Sequence, residues 1–521
     1  MNTPILRKVR IVVSLIFLIA TTFLLIDFYG YIPNLFKNDI LYLQFVPSLL
    51  KFITILSISS AGFIIVLLLT LLFGRIYCST ICPLGILQDG VNFFAKKFRK
   101  KSGLEFLKEQ KILRLSLLVL TLLVFAFGSS IILNFLDPYS LFGRITSNFF
   151  KPIMVGANNL VSKTLEMFKI YSVYYYDIKT FNAIPFVVTG VFFVLVIVMA
   201  WMKGRLYCNT VCPVGTLLGY ISKMSIFKIV ISDENCLSCG LCSHECKSGC
   251  IDSDHKTVDM TRCVMCFDCL TACPTDGIML SYSYKKKFNK SNSIELSKRN
   301  FFKKTLLYFL SATAISAQIQ KKILVTKPST KAIFKQSAVS PPGSISVERF
   351  NNICTACNLC VASCPSQVLQ PSFLEYGFLG IMQPRMDNNS GFCNFECTIC
   401  ADVCPTGAIL PISLEKKKST QIGKAKFVKD NCVVNTQKTD CGACSEHCPT
   451  KAVHMVPFEG KLLIPETRDD YCIGCGACEF ACPTFPYKSI YVDGNRTHQT
   501  AKKNVEEKKL EKVNLKEDFP F

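Results

Sequence analysis

A membrane α-helical bundle followed by small cysteine-rich α+β domains is the fold class this sequence predicts. Three observations predict it: four long uncharged stretches in the first 202 residues, 29 cysteines in a chain of 521, and the grouping of most of those cysteines in short repeated motifs. The hydrophobic fraction is 50%, as expected of a chain that is part membrane and part soluble. Disulfide scaffolds are short secreted domains, so cysteines in a chain this long point to metals or clusters. The net charge of +22 is not gathered in a compact basic domain with a nucleic-acid motif. It sits largely in blocks beside apolar segments, which is a topology signal, with anionic lipid as the fitting surface partner. No nucleic-acid partner is expected.

The uncharged runs occupy residues 11–26, 52–73, 115–136 and 181–202. The last three hold 22 residues each, enough to cross a hydrocarbon core of about 30 Å. Basic residues crowd the start (Arg7, Lys8, Arg10) and the loop after the second run (Arg75, Lys96, Lys97, Arg99, Lys100, Lys101). The positive-inside rule places both in the cytoplasm, and four spans return residue 203 to that side. A fifth, weaker apolar run, Thr305–Gln320, follows a basic linker. Two readings stand for it: a span or export signal that carries the remainder outward, or an interfacial or buried helix that leaves everything inside. Ala312-Thr313-Ala314 also has the small-residue form of a processing site.

The second and fourth runs end in a repeat: Gly74-Arg75-Ile76-Tyr77-Cys78-Ser79-Thr80-Ile81-Cys82-Pro83-Leu84-Gly85 and Gly204-Arg205-Leu206-Tyr207-Cys208-Asn209-Thr210-Val211-Cys212-Pro213-Val214-Gly215. Both are expected at the cytoplasmic face. C-x3-C on a helix puts two sulfurs on one side. Two pairs joined by pseudo-symmetry would give Cys78, Cys82, Cys208 and Cys212, enough thiolates for one soft-metal or cluster site. A redox-active dithiol pair is the rival reading, and thiols that merely line a helix end are the plainest one.

Six further quartets follow. Cys236, Cys239, Cys242, Cys246 and Cys263, Cys266, Cys269, Cys273 repeat C-x2-C-x2-C-x3-C. This is the bacterial two-cluster ferredoxin run, in which the fourth cysteine of each motif binds the other [4Fe–4S] cluster. That rule groups Cys236, Cys239, Cys242 with Cys273, and Cys263, Cys266, Cys269 with Cys246. Lys247 stands where proline is usual, and Cys250 is a spectator or a substitute for Cys246. After Ser340-Pro341-Pro342-Gly343 come Cys354, Cys357, Cys360, Cys364; Cys393, Cys397, Cys400, Cys404; Cys432, Cys441, Cys444, Cys448; and Cys472, Cys475, Cys478, Cys482. Each ends C-x3-C-P; the second opens with x3 and the third with x8. Zinc has no use for that pattern. Six [4Fe–4S] clusters are expected, with a seventh if the membrane pairs hold one. Spacing alone leaves open which of the last four motifs share ligands. Ile278, Ile409, Val453 and Ile490 would form the small water-excluding cores.

Other chemistry is missing from the sequence. No C-x-x-C-H attaches a haem, none of the five histidines lies in an uncharged run, no G-x-G-x-x-G follows a strand, and no Ser-His-Asp set suggests a nucleophile. The pattern is that of an electron carrier whose terminal reduction belongs to a partner.

On these motifs, residues 1 to about 280 resemble membrane ferredoxins of the NosR/NapH/MauN type: four spans, two G-R-x-Y-C-x3-C-P segments and a two-cluster ferredoxin. Residues 297 to about 490 resemble the exported four-cluster ferredoxins of the MauM/NapG type, including the x3 and x8 variants. Ser297-Lys298-Arg299-Asn300-Phe301-Phe302-Lys303 is similar to their twin-arginine signal, with Lys in place of the first Arg. The resemblance implies a fusion of the two, acting as a quinol dehydrogenase that feeds a periplasmic reductase, usually nitrate reductase, or a c-type cytochrome. It implies an inner-membrane location, with the two-cluster domain cytoplasmic and the four-cluster domain periplasmic. A redox maturation factor and a cytoplasmic-face relay are the alternatives. Quinol oxidation needs a proton acceptor; Asp137 and, beside the first cysteine pair, Asp89 are the candidates. A helix-end or turn residue is the plainer reading of Asp137. The expected divisions are 1–230 membrane, 231–283 two-cluster, 284–345 linker and signal, 346–492 four-cluster and 493–521 a charged disordered tail.

Overall fold

The computed structural model describes residues 3–282 and 330–503 apart from short breaks at 28, 31, 58–59, 99–105 and 179–181. The signal-like segment, the fifth apolar run and the chain beyond 503 lie outside the described residues. Two uncharged runs form continuous helices, α1 (Thr3–Ile26, 24 residues) and α11 (Ala183–Lys203, 21 residues). At 1.5 Å per residue both exceed about 30 Å, and both are long and apolar enough to cross a membrane by length and composition. Their outer faces are apolar: Val9, Ile16, Ile19 and Phe23 on α1, and Val187, Val191, Val194 and Val198 on α11, are all exposed.

The other two runs are not single helices, which corrects the expectation of four continuous spans. Run 52–73 is shared between α3 (Phe45–Ile55) and α4 (Gly62–Phe73), with Leu56 left-handed after α3 (φ 50°). Helix α2 (Asn34–Tyr42) precedes them. Run 115–136 is cut into α7 (Lys111–Ala126) and α8 (Ile131–Leu136), with Gly128 at φ 80° between them. Short Gly/Ser interruptions barely change hydropathy, yet they free the backbone to turn. Ser130 uses this opening to donate to the carbonyls of Asn351 (2.8 Å) and Cys354 (2.9 Å) in the distant four-cluster domain. Helices α9 (Pro138–Ile145) and α10 (Lys151–Met167), joined by a π turn, were not apparent from hydropathy.

The two repeats share one plan. Helix α4 ends at Gly74 (φ 71°), and the chain continues through a short α5 (Tyr77–Thr80) into α6 (Pro83–Phe98). Helix α11 ends at Gly204 (φ 64°) and continues through α12 (Leu206–Thr210) into α13 (Pro213–Ser222). The C-x3-C spacing therefore does not lie on one helix. Pro83 and Pro213 start new helices, where a missing N–H costs nothing, so each second cysteine sits at a helix start.

In the two-cluster domain β1 (Phe227–Ile231) pairs antiparallel with β4 (Ile278–Tyr282), and β2 (Ile251–Asp252) with β3 (Thr257–Val258). In the four-cluster domain the antiparallel pairs are β5 (Leu369–Pro371) with β6 (Pro384–Met386), β8 (Val453–Pro457) with β9 (Leu463–Thr467), and β7 (Thr420–Phe427) with β10 (Ile490–Thr500). Ile278, Ile409, Val453 and Ile490 are all buried. Three boundaries move. The two-cluster fold begins at Phe227. Residues 331–343 pack on the four-cluster domain, where Lys331 bonds Asn431 and Gln336 bonds Asp493. The expected tail is strand as far as Thr500, and Lys502 pairs with Asp470.

The two cysteine-rich domains sit at opposite ends of α1 and α11. Near the start of α1, Arg7 pairs with Asp268 of the two-cluster domain at 2.9 Å, while α1 also packs against Leu359–Ala362 of the four-cluster domain. Asn182, capping the start of α11, donates to Gln370 of the four-cluster domain (3.0 Å). Just past its end, Arg205 N donates to the Lys247 carbonyl of the two-cluster domain (2.8 Å).

His498 ties β10 to the proline-bearing segment through Ser340 Oγ (2.9 Å). Burial holds its imidazole down at about 4, against an ordinary 6.5. A depressed pKa stabilises the fold fully above the unfolded value and loses that contribution as pH falls through the folded one. The four-cluster domain should therefore lose thermal stability from about pH 6.5 towards 4, and His498→Gln should flatten that slope in thermal unfolding followed across that range.

Candidate cysteine sites and their relatives

The regular motifs share one backbone device. The residues on either side of the second cysteine are left-handed in four of them: Ser238 and Gly240, Met265 and Phe267, Ala356 and Asn358, Gly474 and Gly476. Five of these are not glycine, and each such residue costs roughly 1–2 kcal/mol in that conformation. The loop thereby wraps three thiols around one centre. None of the 29 cysteines forms a disulfide.

Neighbouring sulfurs define the sets. Cys242 faces Cys236 and Cys273, and Cys269 faces Cys266, Cys263 and Cys246. Cys250 Sγ lies 3.5 Å from Cys246 Sγ and also beside Cys263, so it flanks this set. In the four-cluster domain Cys360 faces Cys357, Cys354 and Cys404; Cys400 faces Cys393, Cys364 and Cys397. Cys444 faces Cys482, Cys441 and Cys432; Cys478 faces Cys475, Cys472 and Cys448. The thiols of motif one thus group with those of motif two, and those of three with four, which spacing had left open. Cys393 and Cys475 join the halves, since Cys393 N donates to the Cys475 carbonyl (2.9 Å).

The residues fit an iron–sulfur group. Three of the sets line cavities: Cys236, Cys239, Cys242 and Cys273; Cys246, Cys263, Cys266 and Cys269; and Cys364, Cys393, Cys397 and Cys400. Backbone amides point at the sulfurs, as Ile409 N does to Cys404 and Ala425 N to Cys472, both at 3.4 Å. Such bonds stabilise thiolates and tune cluster potential.

The cysteine pairs of the two repeats come together in the protein interior, just past the ends of α4 and α11. Cys78, Cys82, Cys208 and Cys212 are each 3–4% exposed, and Cys212 is near Cys208, Cys82 and Cys78. Two arginines cross between the repeats. Arg75 donates to the Cys208 carbonyl (3.1 Å), and Arg205 donates to the Cys78 carbonyl. Gly85 and Gly215 leave room for this, because a Cβ on either would meet the crossing arginine and the cysteine carbonyl. Gln88 reaches Cys208 Sγ at 3.3 Å, and Gly215 N reaches Cys212 Sγ at 3.3 Å. Arg75 is fully buried, and the hydrogen-bonding oxygens around it are the neutral ones of Asn209, Thr261 and Cys208. A buried cation needs a counter-charge, and an anionic group held by the four thiols would supply one.

The two candidate carboxylates separate. Asp89 binds Arg205 (2.7 Å), Lys247 (3.1 Å) and Arg10 (3.3 Å). Burial favours its protonated form, but Arg205, Lys247 and Arg10 outweigh this and hold the carboxyl well below the ordinary range. It is a charge hub and a poor base, which corrects its candidacy. Lys247, standing in the proline position, also binds Asp268 at 2.9 Å, so that departure from the motif clamps the two-cluster domain to α6. Asp137 is 1% exposed and caps α9, accepting from Ser140 N (2.8 Å) and Oγ (2.6 Å) through Oδ2. Its Oδ1 has no hydrogen-bond partner. It lies near Tyr77 and Tyr207 of the repeats and Cys357 of the four-cluster domain. That domain docks here: Gly143 of α9 lies so close to the Cys357 carbonyl that a Cβ would collide with it. Tyr77, Tyr207, Arg144 and Gly143 were not singled out as site residues from the sequence. Only the symmetry of the G-R-x-Y repeat could have marked the tyrosines.

Comparison with known proteins finds iron–sulfur families over the two repeats and over most of the second cysteine-rich domain. Residues 58–101 and 185–231, which contain the two repeats, match a family described as a 4Fe-4S binding domain. Residues 353–408 and 439–486 match a 4Fe-4S dicluster domain, in line with the pairing of motifs one with two and three with four. The methylamine utilization ferredoxin-type protein MauM of Methylophilus methylotrophus is 30% identical over 199 residues, covering 35% of this chain and 80% of that protein. The ferredoxin-type protein NapG of Escherichia coli is 32% identical over 145 residues, 26% of this chain and 62% of its own. The putative electron transport protein YccM of Escherichia coli is 25% identical over 238 residues, 44% of this chain and 57% of its own. Fold and sulfur sets therefore define an iron–sulfur, ferredoxin-type electron-transfer protein. The chain belongs to the MauM/NapG family of ferredoxin-type proteins.

Arg205→Leu removes the largest counter-charge from Asp89 and one of the two crossing bonds. Breaking a buried pair costs about 3–5 kcal/mol, and a thermal unfolding midpoint unchanged from the parent would contradict the crossing as a structural necessity.

Proposed function

We propose that this chain is a membrane-bound electron conduit that oxidises quinol and delivers electrons to a redox partner such as a periplasmic nitrate reductase or a c-type cytochrome. The observation that carries this reading is the placing of the four-thiol centre between two ferredoxin-type domains, at opposite ends of helices long enough to cross a membrane. Large apolar side chains are exposed along the length of both α1 and α11, which supports a bilayer around them. The Lys and Arg blocks at the two-cluster end support a cytoplasmic position for it, and the four-cluster domain is then periplasmic.

Six [4Fe–4S] clusters would be held by the six sulfur sets described, and a seventh by Cys78, Cys82, Cys208 and Cys212. When bound, they supply one-electron carriers of tunable potential. The chain's own residues do the rest. Arg75 and Arg205 set the spacing of the membrane pairs and neutralise thiolate charge. Lys247, Asp89 and Asp268 fix the two-cluster domain beneath them. Gly143 and Ser130 bring Cys354 and Cys357 against the opposite side. The unpaired Oδ1 of Asp137 is a proton acceptor within the buried layer between thiol sets. The first 280 residues would then act as a NapH-like membrane component, and the remainder as its four-cluster partner.

Two measurements test this. Seven clusters correspond to about 28 iron atoms per chain; Cys82→Ser combined with Cys212→Ser should lower the count by about four, and an unchanged count removes the seventh site. Reduced menaquinol or ubiquinol analogues should bleach the clusters of the membrane-held chain rapidly and stoichiometrically, and clusters that stay oxidised would sink the quinol reading.

A further inference from the structure

A cavity of about 120 Å³ lies where the start of α10, the approach to α11 and the four-cluster domain meet. We infer that it receives the quinol ring, an inference that rests on the quinol reading above and gives it a location. The cavity is lined by Val361 and Ala362, which lie between Cys360 and Cys364, members of two different sulfur sets. A molecule seated there is in contact with the chain that separates two one-electron acceptors. That suits a donor that must lose two electrons one at a time.

The polar groups suit a quinol. Asn358 lines the cavity, is 2% exposed, and its Oδ1 has no partner. An unpartnered buried amide oxygen is costly and is an acceptor for a hydroxyl proton. Lys151 Nζ, held by the Ala362 carbonyl at 2.7 Å and lying 6.0 Å from the Tyr176 ring centre, is a donor for the second oxygen. Acceptor and donor together fit the hydroquinone and quinone forms of one ring. Pro152, Ile178 and Pro185 supply apolar walls. Ile153 and Ile184, beside the cavity, are exposed, giving an apolar approach from the outer face of the span for an isoprenoid tail. In the reaction the quinol O–H bonds break, two electrons pass singly to the iron–sulfur groups held by the adjoining thiol sets, two protons leave to water at that face, and quinone departs.

The test uses the full chain in nanodiscs. 2-Heptyl-4-hydroxyquinoline N-oxide, a fluorescent quinol analogue, is titrated and its quenching followed, alongside menaquinol-driven bleaching and dithionite-reduced electron paramagnetic resonance spectra. Lys151→Met lies outside the cysteine loops, and Asn358→Gly keeps the left-handed backbone while deleting the oxygen. Each should weaken analogue binding about tenfold, the effect of one lost buried hydrogen bond, and raise the quinol concentration for half-maximal bleaching; for Lys151→Met, outside the cysteine loops, the cluster spectra stay unchanged. If the parent binds the analogue and is bleached by quinol while Lys151→Met behaves like it, the site is wrong and the quinol reading stands. A parent that neither binds the analogue nor is bleached overturns both.

Discussion

Two arginines crossing between pseudo-symmetric repeats hold this molecule together at its centre. Arg75 reaches from the first repeat to the Cys208 carbonyl, and Arg205 reaches back to that of Cys78. Neither side chain is accessible to water. Guanidinium groups are rarely buried without full pairing, so their position dictates much around them. Glycine must stand at 85 and 215, a carboxylate at 89, and the carbonyl of Thr261 must come up to meet Arg75 at 2.9 Å. That last bond brings the two-cluster domain into contact with the N-terminal helices. The same constraint thus fixes the thiol centre and the docking of the domain beneath it.

The repeats are alike in plan but not in charge. Asp89 neutralises Arg205, whereas the equivalent position in the second repeat is Gly219, against which Arg114 and the Thr261 carbonyl pack. Arg75 is left among neutral oxygens. This asymmetry places an excess of positive charge beside four thiols, which suits an anionic cluster more than four neutral sulfhydryls. A low-dielectric interior amplifies that preference.

The opposite side uses close packing in place of charge. Gly143 lets α9 touch the Cys357 loop, and Ser130 and Thr54 bond carbonyls of the four-cluster domain. Breaks in two apolar runs make these contacts available. Ser130 stands at the break between α7 and α8 and Thr54 near the end of α3, so the breaks put both hydroxyls within reach of the domain. The interrupted helices therefore serve the interface, and the cavity beside Lys151 and Asn358 lies along the same seam.

The amino-acid sequence alone makes the cysteine pattern legible, because thiol spacing in a ferredoxin loop is local: three thiols within seven residues need only the backbone between them. It also determined the two long helices and the repeat, since hydropathy and self-similarity are written along the chain. The tertiary structure decided what depended on distant partners. It joined Cys364 with Cys393 and Cys448 with Cys478, and brought the thiols of the two repeats together in the protein interior. It made Asp89 a charge hub and Asp137 a buried, half-satisfied carboxylate. A carboxylate's role follows from which cations face it, and those cations come from residues 10, 205 and 247, which no local pattern connects.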